Sequence, residues 1–327
     1  MIWIKRQMEN PAVTDFYLGT IAEAYNQLGE KVRFFSTWKE YSPQKTDMTV
    51  ISTPLEVIEM IKRKQRFVMW FQGIRPEESY TVHHSWLRSK LLEVAEKIIL
   101  KKGEFFFLVS TYMKNHYEKK YKVDLSKKSF VMACSNEDMH KMNFFVPDKY
   151  KKNVFCYAGS INNWQCVDET LALYKQIESR IPDAELLLLV KNRKLAEEMV
   201  KKHGISRYEI DFVPVEALQK RLENVKYGFI IRDDIELNRV ATPTKMSTYM
   251  VNGVIPIISE CLYGLTEIAG DSQFVVRLGD KEDFNAILKS SKSCIRAEEV
   301  YQDFLEIYQK HYDRAKKVED LIGMLPQ

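Results

Sequence analysis

Arg232 and Lys245 are the residues whose types and positions best suit the binding of an anion. Arg232 ends the apolar run Tyr227–Ile231, which reads as a strand. It therefore leaves a carboxyl end, where open α/β sheets bind their ligands. Lys245 closes the string Ala241-Thr242-Pro243-Thr244-Lys245. Thr242 followed by Pro243 reads as a helix N-cap and first helical position, with Thr244 and Lys245 in the first turn. Free backbone N–H groups and the helix dipole attract an anion there, whereas a lysine opposes the dipole by roughly 0.3–1 kcal/mol. A phosphate attracting both would resolve the conflict, and Arg232 could grip it through two parallel hydrogen bonds. The plainer alternative is a capped helix with an exposed lysine, and an arginine paired to Asp233 or Asp234.

A second group of reactive side chains follows the apolar run Arg66–Phe71. Gln72 stands at the end of that run, and Glu77 and Glu78 come next, with His83 and His84 a turn or so later. A carboxylate or imidazole there could act as a general base on a hydroxyl. The alternative for each histidine is a surface or packing role. Gly159-Ser160, after the run Val154–Ala158, would let a phosphate approach without a side chain in the way, and a hydroxyl and N–H could donate to it. An ordinary β–α turn has the same residues. Asp233, Asp234 and Glu236 form an acidic run that reads as a solvated loop in preference to a metal-ligand set.

These residues need strands to position them, and the chain supplies two series. Strand-length apolar runs recur at Met1–Lys5, Lys31–Ser36, Met48–Thr53, Arg66–Phe71, Glu104–Ser110 and Ser129–Cys134. Helix-period stretches lie between them at Val13–Leu28, Pro54–Lys64, Ser85–Lys101 and Thr111–Tyr121. Runs such as Phe105–Val109 are apolar throughout, as strands buried on both faces of a parallel sheet must be. The Lys-rich stretch Asp138–Lys152 loses periodicity and reads as a linker. Strands then recur at Val154–Ala158, Ala184–Val190, Tyr208–Val213, Tyr227–Ile231, Ile255–Ser259 and Phe274–Leu278. The helices between and after them are expected at Cys166–Arg180, Lys194–His203, Val215–Glu223, Thr244–Val251 and Asp280–Lys289, with a charged helical end from Ala297 to Leu325. Two Rossmann-like, doubly wound α/β domains follow, residues 1–150 and 151–327. A single barrel of about eight strands does not fit a dozen strands with a break in the middle.

Hydrophobic residues make up 45% and charged residues 29% of the 327, a composition that fits a folded protein and argues against disorder. The five cysteines are odd in number and widely spaced, so neither a disulfide framework nor a zinc site is suggested. No apolar run reaches the length of a spanning helix and the start lacks a signal-peptide layout, so a cytoplasmic protein is expected. The net charge of +4 hides an asymmetry, since residues 62–152 hold 20 Lys+Arg against 10 Asp+Glu. No helix-turn-helix, zinc-finger or RRM-like pattern supports nucleic acid as the partner of that basic half. An anionic membrane surface or a lipid-linked phosphate fits it, as does a solvated surface. The stretch Trp86–Lys102 is amphipathic and is expected to face a core in preference to a membrane.

The string Pro243-Thr-Lys-x-x-Thr-Tyr249-Met-x-x-Gly253-Val-Ile-Pro256 resembles a segment of bacterial GT-B glycosyltransferases similar to glycosyltransferase family 4, of the capsule and O-antigen kind. Tyr157-Ala-Gly159-Ser160, Phe212-Val213-Pro214, Ser110-x-x-Met113-Lys114 and Trp70-Phe-Gln72-Gly73 follow in the corresponding places. The resemblance implies two Rossmann-like domains facing a central cleft, with the C-terminal helices packing back on the first. It implies an acceptor-binding first domain and a second that binds a nucleoside-diphosphate sugar. Gly159 and Ser160 would approach the phosphates, Arg232 and Lys245 would neutralise them, and Val213 would contact the base. Thr242, Thr244 and Thr248 would line the same nucleotide site, with Gln72 or His83 touching a sugar. No metal or other cofactor is expected, and the leaving phosphate would take the acceptor proton if the enzyme retains stereochemistry. Two glutamates common in that family are replaced by Val240 and Thr248, and Asn162-Asn163-Trp164-Gln165 replaces a basic stretch. The glycine-rich loop near residues 6–13 is missing as well.

The reading is thus a glycosyltransferase moving sugar to a saccharide or lipid-linked acceptor in surface-polysaccharide synthesis, with peripheral contact at the inner membrane face. A nucleotide-sugar epimerase and a catalytically silent scaffold protein are the alternatives.

Overall fold

The computed structural model describes residues 1–7, 11–279 and 284–326, which form two compact units. The first holds Met1–Asn136, Arg239–Thr242 and His311–Gln327; the second holds Glu137–Asn238 and Pro243–Lys310.

In the first unit the chain runs β1 (Ile2–Lys5), α1 (Pro11–Gln27), β2 (Val32–Phe35), β3 (Met48–Ile51), α2 (Val57–Arg63), β4 (Arg66–Phe71), α3 (Arg75–His83), α4 (Trp86–Lys102), β5 (Phe106–Leu108), α5 (Thr111–Tyr121) and β6 (Ser129–Val131). All strand pairs are parallel, in the order β2-β1-β3-β4-β5-β6. Each strand after β1 is reached by a crossover, so both sheet faces are covered and the inner strands are buried, as in Phe67–Phe71, while the edge strands β2 and β6 are partly exposed. Tyr17 of α1 stacks on Trp70 of β4 with centroids 4.0 Å apart, and its hydroxyl donates to the Met132 carbonyl.

The second unit continues with β7 (Val154–Ala158), α6 (Val167–Arg180), β8 (Glu185–Leu189), α7 (Arg193–Lys202), β9 (Tyr208–Asp211), α8 (Val215–Arg221), β10 (Tyr227–Ile230), α9 (Glu236–Arg239), α10 (Lys245–Val251), β11 (Ile255–Ser259), α11 (Tyr263–Ala269), β12 (Val276–Leu278), α12 (Asn285–Lys292) and α13 (Ala297–His311), and the chain ends with α14 (Arg314–Ile322) in the first unit. Its parallel sheet has the order β12-β11-β10-β7-β8-β9. Strand order therefore reverses between β7 and β10, and a ligand crevice belongs outside their carboxyl ends.

Each sequence-based strand is present, and the two-domain α/β fold is as expected. The C-terminal segment divides at Tyr312-Asp313, and α14 returns to the first unit. There Val318, Leu321 and Leu325 join the core of Tyr17, Leu18 and Trp70. The boundary lies earlier than residue 150, because the expected linker is built into the second unit. Lys149 is buried and its ammonium donates to the carbonyls of Asn143 and Asn252 at 2.9 and 2.6 Å. Tyr150 donates to the Gly253 carbonyl. Part of the expected helix Asp280–Lys289 and of the stretch 6–13 lies outside the described residues. The helix at Trp86–Lys102 is found, with Ser85 Oγ capping it by accepting from the Arg88 N–H. Its expected core-facing stripe is only half right: Ala95, Ile99 and Leu100 are buried, but Trp86, Leu87, Leu91 and Val94 are exposed.

Candidate anion-binding site

At the strand reversal of the second unit, β7 ends in Tyr157-Ala158-Gly159 and β10 leads through Ile231 into Arg232. Arg232 is buried at 3% exposure and its backbone N–H donates to Ser259 Oγ. Its guanidinium donates to the carbonyls of Ile231 and Gln165 at 2.7 and 3.0 Å and to Gln165 Oε1 at 2.5 Å. Lys245 Nζ donates to the same Oε1 at 2.8 Å and lies over the Tyr157 ring, 4.0 Å from its centroid. Two cations thus converge on one neutral amide oxygen. The Tyr157 hydroxyl lies 3.3 Å from that oxygen as well and donates to the Ser160 carbonyl at 2.6 Å.

The arrangement is electrostatically costly. Burial pulls the Lys245 ammonium well below its ordinary pKa, and the Arg232 charge adds to the effect. Burial also lowers the Arg232 pKa. Like charges brought together out of water favour any anion that can enter between them. Gln165 Oε1 marks the point at which their donors are aimed.

The residues around this point are held by tight packing. Gly159 takes φ of 140°, and a Cβ there would come within 2.7 Å of Lys245 Cε. The glycine makes room for the lysine stem. The Tyr249 hydroxyl accepts from the Ala158 N–H, and its ring fills the space a Cβ at Gly228 would need. Strand β7, strand β10 and helix α10 are locked together in this way around the two cations.

Sequence-based site residues fare differently. Arg232 and Lys245 are brought together, and Gly159 and Ser160 are beside them. Thr242 is not the helix cap: its side chain donates to the Val109 carbonyl and accepts from the Cys134 N–H within the first unit. Helix α10 begins at Lys245 instead, after a turn in which the Met246 N–H reaches the Pro243 carbonyl. Thr244 contributes its carbonyl to the Thr248 N–H and Ser247 hydroxyl, and Thr248 is buried at 5% exposure. Val213 follows β9 beside the exposed Phe212. The alternative pairing of Arg232 with Asp233 or Asp234 is not the one formed, since its donors go to Gln165 and Ile231.

In the first unit Gln72 directly follows β4, with its Nε2 buried and without a hydrogen-bond partner. Glu77 is ion-paired to Lys120 at 2.6 Å and lies 3.6 Å from His116. Glu78 is paired with Arg75 at 2.9 Å. His83 is exposed and His84 caps the far end of α3. That nine-residue helix rises about 1.5 Å per residue, so it carries both histidines roughly 12 Å from its start near the strand end. They are not gathered with Gln72.

Sequence reasoning missed Gln165, Tyr157 and Tyr249 as members of the site. It also missed a buried cluster in the first unit, in which Glu96 accepts from the hydroxyls of Tyr121 and Tyr117 at 2.6 and 3.1 Å. One cavity of about 460 Å³ opens beside Arg232, lined by Ser259, Cys261, Tyr263 and Leu278 at the carboxyl ends of β10 to β12. A second of equal volume, near Val154, Glu185 and Tyr208, lies at the strands' amino ends, away from the ligand side. Among the described residues, Cys166, Glu169 and Asp233 are the one trio placed to hold a metal ion, and the Cys166 thiol donates to Asp233 at 3.4 Å.

No protein-family model matches the chain, and no curated protein matches it. Solved structures do. Sucrose-phosphate synthase from Thermosynechococcus elongatus superposes with a TM-score of 0.73 at 14% identity, over 98% of this chain and 96% of that one. The fold is GT-B. WaaG, a glycosyltransferase involved in lipopolysaccharide biosynthesis, matches at TM-score 0.64 and 14% identity, with 99% of both chains covered. TarM of S. aureus, crystallised with UDP and alpha-GlcNAc-glycerol, gives TM-score 0.67 at 10% identity over 93% of this chain. The chain spans 58% of the TarM length. At these identities the likeness establishes the GT-B architecture of two Rossmann-like units, and the chemistry has to be argued from the side chains.

Proposed function

We propose that the chain is a glycosyltransferase that binds the diphosphate of a nucleoside-diphosphate sugar between Arg232 and Lys245. The observation that carries this reading is the convergence of two buried cations on Gln165 Oε1 at 2.5 and 2.8 Å. A diphosphate oxygen entering there replaces a neutral acceptor with a charged one, and both cations then stabilise the departing diphosphate as the glycosidic bond breaks. Val213 and the exposed Phe212 are the candidate contacts for the base, and Ser160 for the phosphates.

The transfer is proposed to retain stereochemistry. Glu77 and Glu78, the carboxylates considered as bases, are ion-paired to Lys120 and Arg75. The leaving phosphate then serves as proton acceptor. Gln72, with its unused buried N–H, is the proposed sugar contact of the first unit. No resident metal is needed in this account, since the positive charge comes from the two side chains. UDP in the TarM structure and the lipopolysaccharide role of WaaG support a UDP-sugar donor and a surface-polysaccharide acceptor, saccharide or lipid-linked.

Release of UDP from a panel of UDP-hexoses, measured with and without a saccharide acceptor, tests the reading. Acceptor-dependent UDP release is expected. Interconversion of the sugars without an acceptor would make the chain an epimerase, and binding without turnover of any donor would make it a scaffold.

A further inference from the structure

Helix α4 has two apolar faces. One is buried, through Ala95, Ile99 and Leu100. On the opposite side Leu87, Leu91 and Val94 recur at the spacing of one helical stripe and are 74%, 57% and 55% exposed, with Trp86 beside them at 64%. The turn Pro54–Glu56 and helix α2, which pack against α4, expose Leu55, Ile58 and Ile61 in addition. Apolar side chains exposed in this number on packed neighbouring elements need a partner.

The charges around it say which partner. Helix α4 carries Arg88, Lys90, Lys97, Lys101 and Lys102 against Glu93 and Glu96. Glu96 is buried and Glu93 is occupied by Lys90. The solvent side is therefore apolar along its middle and cationic along its edges. We propose that this face of the first unit docks on an anionic lipid bilayer, with Trp86, Leu87, Leu91 and Val94 entering the headgroup layer. The lysine stems lie along the apolar zone while their ammonium groups reach lipid phosphates. A second copy of the chain fits less well, because a two-fold contact would set the same cations against each other. Protein interfaces also tend to exclude lysine.

The inference rests on the surface of the first unit alone, so its outcome and that of the nucleotide-site reading are separable. Sedimentation of the full chain with vesicles of equal parts phosphatidylglycerol and phosphatidylcholine, and with pure phosphatidylcholine, tests it. Binding to the anionic vesicles is expected, roughly tenfold or more stronger than to the neutral ones and weakened by salt. The double substitution Leu87→Asp and Leu91→Asp should abolish it. Lys97→Glu with Lys101→Glu should remove the preference for anionic lipid. Both doubles should keep wild-type UDP affinity, which shows that they fold. Failure of the wild-type chain to sediment with anionic vesicles overturns the proposal. So does unchanged sedimentation of the Leu87/Leu91 variant, or a dimer of the wild type that this variant splits without any vesicle binding.

Discussion

Arg232 and Lys245 donate to one and the same atom, the Oε1 of Gln165, at 2.5 and 2.8 Å. A neutral oxygen shared by two buried cations satisfies their hydrogen bonds and leaves their charge uncompensated. Such a pair weakens the empty fold and strengthens anion binding.

Gln165→Glu separates those two effects. A carboxylate of the same shape would neutralise the pair, so the melting temperature should rise while UDP affinity falls roughly tenfold or more. Thermal unfolding and calorimetry on one sample check both signs together.

Removing one cation should act on the nucleotide directly. Lys245→Ala is expected to weaken UDP binding by about 1.5–3 kcal/mol, the worth of a charge-assisted hydrogen bond. Unchanged affinity would take Lys245 out of the site.

The lowered pKa of Lys245 predicts proton uptake on binding. In the empty protein burial and Arg232 disfavour its charged form, and an arriving diphosphate restores it. Calorimetry in buffers of different ionisation enthalpy should show net proton uptake in the range between the lowered pKa and the ordinary lysine value. Lys245→Met should abolish it. The unfolded chain binds the extra proton across that range, so stability of the empty protein should rise with pH there.

Glu96 gives a test in the first unit. Burial pushes its carboxyl up to about 7, against the hydrogen bonds from Tyr121 and Tyr117 and the Lys120 charge. A raised folded-state pKa contributes stability that is present below the unfolded value and lost as pH rises toward 7. Glu96→Gln should therefore gain on the wild type as pH rises from about 5 to about 8, read as the difference in melting temperature.

A chelator distinguishes the charge source. With EDTA present, UDP affinity should be unchanged if Arg232 and Lys245 supply the positive charge. Loss of affinity, restored by a divalent ion and absent in Asp233→Asn, would assign a metal to Cys166, Glu169 and Asp233.

The fold was legible in the sequence because parallel strands buried on both faces read as continuous apolar runs, and runs such as Phe105–Val109 and Tyr227–Ile231 leave little choice. Arg232 and Lys245 were legible for the same reason, since each follows a recognisable element boundary. Gln165 was not, because nothing local marks a glutamine in a short turn as the meeting point of two distant cations. Thr242 misled because Thr-Pro is a sound capping signal, yet its hydroxyl finds Val109 and Cys134, more than a hundred residues away in sequence and in the same unit. The outward face of α4 misled because apolar periodicity counts residues and does not say which side is covered.

Titration of the wild-type chain with a panel of nucleoside diphosphates, beside the double variant Arg232→Ala/Lys245→Ala, measures the central claim most directly. The account predicts one-to-one binding of at least one of them, weakened roughly a hundredfold or more in the double variant. No binding by any nucleoside diphosphate, or equal binding by both proteins, would contradict it.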